Sequence, residues 1–233
     1  MSGENRKAIR ISVRNLVQFV LRSGDIDNRC SGNAQKDAML AGGRIHRKIQ
    51  KRMGSGYRAE VPLKHEVQDE EQEITLLVEG RADGIFAENG IPVIDEIKGM
   101  YTDISRLEEP IEVHLAQAMC YGYFYCCDKD LDGIRLQMTY CNLETEEIKR
   151  FQTDRSREEL ETWFSGVVHE YFKWARYLYH HELTRDASIG HLEFPFPYRA
   201  GQRDLVVSVY RTASRKKRLF IQAPTGIGKT LST

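Results

Sequence analysis

Residues 74–98 read ITLLVEGRADGIFAENGIPVIDEIK. Two apolar, β-rich runs flank Asn89-Gly90, and both of those residues tolerate the positive φ of a type I′ turn. A two-residue loop there pairs Glu88 with Ile91. Counting outward, Ile85 then faces Ile94 and Asp83 faces Glu96. Lys98 lies two residues past Glu96 and projects from the same face. Two like charges opposite each other destabilise a sheet, so something must offset them. A raised carboxylate pKa, the Lys98 ammonium alone, or a bound divalent cation would each serve. A salt-bridged surface hairpin fits the same residues.

Around this hairpin the periodicity alternates. SVRNLVQFVLRSGDI, opened by Ser12, reads as a helix that stops near Gly24. A second helix is expected from about Asn33 to Met53, with Ile45, Ile49 and Met53 on one stripe. Gly42 and Gly43 interrupt it at about 1 kcal/mol each, which suggests a close backbone approach. YRAEVPL reads as a strand before the hairpin. IEVHLAQAMCYGYFYCC reads as a helix after it, followed by strands GIRLQMTYCNL and EEIKRFQT. A long amphipathic helix over about 156–184 carries Leu160, Trp163, Val167, Tyr171 and Trp174 on its expected apolar side. This order predicts an α/β sandwich around a mixed central sheet flanked by helices.

Composition narrows the class. Hydrophobic residues make up 41% and charged residues 29% of 233, as in a soluble globular chain. No run approaches the length of a membrane span, and MSGENRKAIR lacks the apolar core of a signal peptide. Five cysteines (Cys30, Cys120, Cys126, Cys127, Cys141) show no paired CxxC spacing, which argues against disulfides and zinc. The expectation is a cytosolic protein with reduced thiols and no membrane partner. The 34 Lys and Arg balance 34 Asp and Glu, but unevenly. Residues 1–60 hold 13 basic and 5 acidic side chains, residues 61–99 hold 3 and 10. That pattern suits a phosphate-binding wall beside a cation pocket, or two solvated faces.

On the helix after the hairpin, His114, Gln117 and Tyr121 share a face. Upstream, His46 flanks the Ile45/Ile49 stripe. The order His46, Asp83, Glu96-Ile97-Lys98, Gln117-xxx-Tyr121 over residues 12–180 resembles the RecB-like branch of the PD-(D/E)XK nucleases. Ala82 stands where the family name has Pro. The resemblance implies that His46, Asp83, Glu96 and the Ile97 carbonyl hold Mg²⁺ or Mn²⁺. It implies that Lys98 is the catalytic lysine, and that Asp83, Glu96, Gln117 and Tyr121 complete the catalytic site on DNA. Many members of that branch carry an iron–sulfur cluster on an early cysteine and a late three-cysteine group. No late group exists here, so no cluster is expected, and Cys126-Cys127 reads as packing.

From about Asp186 the pattern changes. LFIQ reads as a buried strand entering Ala223-Pro-Thr-Gly-Ile-Gly-Lys-Thr. Gly226 and Gly228 would let backbone N–H groups approach phosphate, Lys229 would reach it, and Thr230 would ligate Mg²⁺. The AxTGxGKT form resembles motif I of superfamily 2 helicases. Phe196-Pro-Tyr198-Arg199-x-x-Gln202 resembles the adenine-reading Q motif of XPD/DinG-type motors. The resemblance divides the chain into a nuclease domain, 1–185, and an incomplete RecA-like helicase segment, 186–233. It implies ATP as a ligand of a longer parent only, with little or no binding or turnover by this chain. Two alternatives remain: a helicase whose nuclease-like part only binds DNA, and a catalytically dead DNA-binding platform.

Overall fold

The computed structural model describes residues 7–24, 32–71, 73–193 and 196–232, with side chains described for neither 32–39 nor 231. Cys30 therefore lies outside the described residues. The chain divides into two compact units, Met1–His181 and Glu182–Thr233.

The first unit is a six-stranded mixed sheet between helices. Its elements are β1 (Lys7–Ser12), α1 (Val13–Val20), α2 (Gly32–Arg52), β2 (Arg58–Gln68), β3 (Ile74–Glu88), β4 (Ile91–Met100), α3 (Glu112–Lys129), β5 (Gly133–Asn142), β6 (Ile148–Ser156) and α4 (Arg157–Ile189). The order β1-β3-β4-β5-β6 includes two parallel pairs, β1 with β3 and β4 with β5, and β2 runs antiparallel to β3. The hairpin has the expected register, Glu88 to Ile91 and Ile85 to Ile94, and Asn89 and Gly90 take φ of 51° and 82°. Ser12 caps α1, its hydroxyl accepting from the Asn15 N–H at 3.1 Å.

Alternating side chains feed two apolar clusters. Ile94 and Ile85 join the main core with Leu16, Phe124, Leu136 and Phe164. Ile97 joins a smaller cluster with Ile45 and Ile49 of α2 and Cys141 of β5. One strand thus serves a helix layer on each face.

Three expectations change. β1 was not anticipated, although Ile9 and Ile11 alternate with exposed neighbours. Gly42 and Gly43 face open space, because a Cβ at either position meets nothing within 4 Å. On α4, Leu160 and Val167 are buried as expected and Trp163 and Tyr171 pack partly buried against the core, but Trp174 is 57% exposed, and Phe164, Phe172 and Ala175 are buried beside them. Phe164 and Phe172 sit about 100° around the helix from Trp163 and Tyr171. Both stripes are apolar, so spacing alone does not choose between them.

His65 of β2 lies in an aromatic group, stacked on Phe124 at 5.4 Å and edge-on to Tyr123 and Phe164. Burial lowers its pKa below the ordinary 6.5, and the charge of Glu161 opposes this only in part. The unfolded chain therefore takes up this proton before the folded one does. Stability should be intact above about pH 6.5 and fall as pH drops below it. Urea unfolding at pH 7.5 and 5.5 should show a smaller loss in His65→Phe than in wild type. Equal losses would remove His65 as a cause.

The second unit holds α5 (Gln202–Ser214) and α6 (Lys229–Ser232). The LFIQ segment is not a strand, and Phe220 is 94% exposed. A buried strand needs hydrogen-bonded neighbours on its edges, and no described residue of this unit supplies one.

Candidate active site

The site is built where β3 changes partners. β1 pairs with β3 as far as Ser12 opposite Glu79. β4 pairs with β3 only from Asp95 opposite Gly84 onward. Both lie on the same edge of β3, since β2 pairs across both stretches from the other edge. Gly80, Arg81, Ala82 and Asp83 therefore have no strand on that edge.

Side chains fill the gap. The Asp83 and Glu96 pairing falls one step past the end of the ladder, so these residues are not a hydrogen-bonded cross-strand pair. Instead Asp83 Oδ2 accepts from the Ile97 N–H at 2.8 Å. Asp83 Oδ1 lies 3.2 Å from His46 Nδ1 on α2. Gln50, one helical turn along, donates to the Asp83 carbonyl at 3.0 Å. From the α3 side, Gln117 Oε1 accepts from Lys98 Nζ at 3.0 Å, and Lys98 Nζ also donates to Glu96 Oε1 at 2.6 Å. Tyr121 lies against Gly80 and is hydrogen-bonded to the Arg81 backbone. His46, Asp83, Glu96, Lys98, Gln117 and Tyr121 are thus gathered at one fork, reached by α2 and by α3. His114 sits on α3 with Nδ1 3.4 Å from the Tyr140 hydroxyl. Its pKa is pushed down to about 4 by burial, with help from Lys98 and Arg14.

The charges are strongly coupled. Burial, helped by the Asp83 charge, raises the Glu96 carboxyl, the Lys98 ammonium pulls it back, and the balance is a pKa of about 7. Burial opposes a proton on His46, but the hydrogen bond and charge of Asp83 outweigh it and raise the His46 pKa. Glu96 is 4% exposed, and its Oε2 is enclosed with no hydrogen-bond partner among the described residues. A buried carboxylate oxygen left so is costly unless a ligand meets it.

That orphaned oxygen, with a second carboxylate and an imidazole beside it, suits a hard divalent cation by donor chemistry. His46, Asp83 and Glu96 do not bring three ligand atoms within 4.8 Å of one another, whereas Glu71, Glu73 and His180 do, among the described residues. Glu96 Oε1 is engaged by the Lys98 ammonium at 2.6 Å.

Behind the fork is a network that sequence reasoning missed. Asp95, fully buried, accepts from Thr139 at 2.6 Å, Gln137 at 3.0 Å and Tyr57 at 2.9 Å. The signal was a second carboxylate inside an otherwise apolar strand.

No family model matches the chain, and no curated protein does. Solved structures match in part. SSO0001 is 17% identical over 72% of this chain and 78% of its own, with a TM-score of 0.45. The alkaline exonuclease LHK-Exo from Laribacter hongkongensis is 10% identical over 75% and 94%, with a TM-score of 0.39. Its complex with dAMP gives 11%, 75%, 93% and 0.39. These scores lie below 0.5 and bear on neither the fold nor the site.

The Gly80–Tyr121 contact is testable. A Cβ at Gly80 would fall 2.6 Å from the Tyr121 hydroxyl oxygen. Gly80→Ala should destabilise by about 1–3 kcal/mol, the usual cost of overpacking. Adding Tyr121→Phe should restore part of that loss in a double-mutant cycle. Additive losses would show that the two do not touch.

In the second unit, Gln202 is 3% exposed. Its amide donates to Ser232 Oγ at 3.2 Å and to the Gly228 carbonyl at 3.4 Å, and its Oε1 accepts from the Arg199 N–H at 3.0 Å. Gly226 and Gly228 both have φ near +88°. Lys229 Nζ donates to the Ala223 carbonyl at 3.0 Å. Thr230 follows at the start of α6.

Proposed function

We propose that residues 1–185 are a metal-dependent DNA nuclease domain that hydrolyses phosphodiester bonds. The observation that carries this reading is the fork itself. There a buried carboxylate with one orphaned oxygen shares its other oxygen with a lysine, which a glutamine on α3 holds from behind.

Asp83, Glu96 Oε2, His46 and the Ile97 carbonyl would hold Mg²⁺ or Mn²⁺. Such an ion supplies charge neutralisation and acidifies water. The chain's own residues do the rest. Gln117 fixes the Lys98 ammonium, which is then aimed at charge growing on a phosphate oxygen. His46 and the Ile97 N–H orient Asp83. Tyr121 closes the open edge at Arg81 and narrows the approach of a phosphodiester to one side.

Residues 186–233 we assign as the start of an ATP-dependent helicase motor in a nuclease–helicase fusion. The support is the reach of Gln202 to Gly228 and Ser232, which ties the adenine-reading motif to the glycine loop within the unit. Lys229 and Thr230 would meet the nucleotide phosphates and its Mg²⁺.

The test is to incubate the chain with end-labelled DNA in Mg²⁺, Mn²⁺ or EDTA, without ATP. Cleavage in metal and none in EDTA is expected. If wild type and Asp83→Asn both bind DNA and neither cuts in any metal, the chain is a binding platform.

A further inference from the structure

The outer face of α1 carries no acid. Val13, Leu16 and Val17 point inward, and Arg14, Asn15, Gln18 and Phe19 are exposed, with exposed Arg22 just past the helix end. Residues 7–22 hold four basic side chains and no Asp or Glu. Arg10 is paired with Glu79 at 3.2 Å, whereas Arg14 and Arg22 have no carboxylate partner among the described residues.

A row of rings continues this face onto α4. Phe19 meets Tyr171 and Trp174 edge-on, with centroids 5.6 and 6.2 Å away, and Trp174 meets Tyr177 edge-on at 6.4 Å. His181 is stacked on Tyr177 at 6.2 Å and ends the row. Phe19 and Trp174 are 41% and 57% exposed, and no ring is stacked on either among the described residues. The row also leads back to the fork. α1 packs on α3, and Arg14 lies close enough to His114 that its charge, with that of Lys98, opposes a proton there. Arg14 and Phe19 are five residues apart on one helix, about 7.5 Å along its axis.

Charge and rings together select the occupant. An apolar protein surface would cover the rings but bury Arg14 and Arg22 without acceptors, which is costly. A duplex offers phosphates, but its bases are stacked inside and give the rings nothing to lie on. A single strand offers both, phosphates for the arginines and open base faces for the rings.

We propose that the outer face of α1 and the Phe19 and Trp174 rings form a track that binds single-stranded DNA and leads it to the fork. Arg14 and Arg22 take phosphates, the Asn15 and Gln18 amides donate to backbone oxygens, and the two rings stack bases. The choice of DNA rests on the nuclease reading above.

The experiment is equilibrium binding of a labelled oligothymidylate to the whole chain in EDTA, beside an abasic strand of equal length and a duplex. Thymidylate should bind more tightly than the abasic strand by about fivefold or more, the usual worth of a stacked base. Trp174→Ala should remove that advantage and leave affinity for the abasic strand and the duplex unchanged, and Trp174→Phe should keep most of it. Arg14→Gln with Arg22→Gln should lower the slope of log affinity against log salt by about 1.4, since each phosphate contact on a single strand contributes about 0.7. If Trp174→Ala unfolds, Trp174→Phe and the arginine pair carry the test. Equal binding of thymidylate and abasic strand, unchanged thymidylate binding in folded Trp174→Ala, or an unchanged salt slope in the arginine pair would each overturn the proposal. So would self-association of wild type that Trp174→Ala abolishes without any change in DNA affinity, which would make the rings a protein interface. Cleavage is not read. A chain that binds through the rings and never cuts keeps the track and loses the nuclease reading, and a chain that cuts while these variants bind normally does the reverse.

Discussion

Lys98→Ala should lower DNA cleavage by about 10²–10³-fold, the usual cost of removing a group that stabilises developing transition-state charge. DNA affinity should barely change, because attraction to phosphate is spread over many of the 34 basic residues. Lys98 is held at 2.6 Å from Glu96 and 3.0 Å from Gln117, so its ammonium has a fixed direction. Its removal has a second effect. The ammonium is what pulls the Glu96 carboxyl down toward about 7. Without it Glu96 holds its proton at neutral pH, and a protonated carboxyl is a poor cation ligand. The activity lost should therefore return in part as pH is raised. The measurements are cleavage rate in Mn²⁺ from pH 7 to 9, DNA affinity in Ca²⁺, and melting temperature. Wild-type cleavage by a well-folded variant would remove Lys98 from the mechanism.

Phe164→Ala should cost about 3–5 kcal/mol of stability, the range for emptying a buried aromatic site. Phe164 is 2% exposed and packs edge-on to Phe124 at 5.2 Å and against Tyr123 at 5.1 Å. The ring joins α4 to α3 and, through His65, to β2. Few neighbours can collapse into the space, because sheet and helix are each fixed by other contacts. Trp174→Ala, on an exposed ring of the same helix, should cost far less. Urea unfolding of both variants checks the pair. Equal losses would mean that Trp174 is packed as tightly as Phe164.

Much of this was legible in the sequence. Asn89-Gly90 fixed the hairpin register because few residue pairs suit two successive positive φ values. That register carried Ile85 to Ile94 and located the Asp83, Glu96 and Lys98 neighbourhood. The details of the fork were hidden. Where β3 leaves β4 depends on β1, which is 67 residues distant in sequence at the Lys7–Ile74 pairing. Local pattern carries no information about such a pairing. The sequence therefore suggested a flat cross-strand carboxylate pair. In the fold, Asp83 turns toward α2 and the Ile97 N–H, while Glu96 turns toward α3. On α4 Leu160 and Val167 face the core as their spacing implies, but Trp174 does not, because two adjacent apolar stripes leave the exact helix rotation to packing. In the second unit, LFIQ has the composition of a core strand, but composition does not supply the neighbours that a strand requires.

The partner exchange along β3 also has a kinetic consequence. The four residues Gly80–Asp83 become an open edge only after two separate events: closure of a two-residue hairpin and docking of β1 in parallel across a long loop. The first is local and takes about 1–10 μs. The second must meet a large loop-closure entropy before any contact rewards it, so it comes later. Until it does, nothing bounds the gap from the β1 side, and Tyr121 has no formed edge to close. If the fork is the cutting site proposed above, activity should return late as the chain refolds. Far-ultraviolet signal should recover first, and any cleavage at the proposed site should lag behind it.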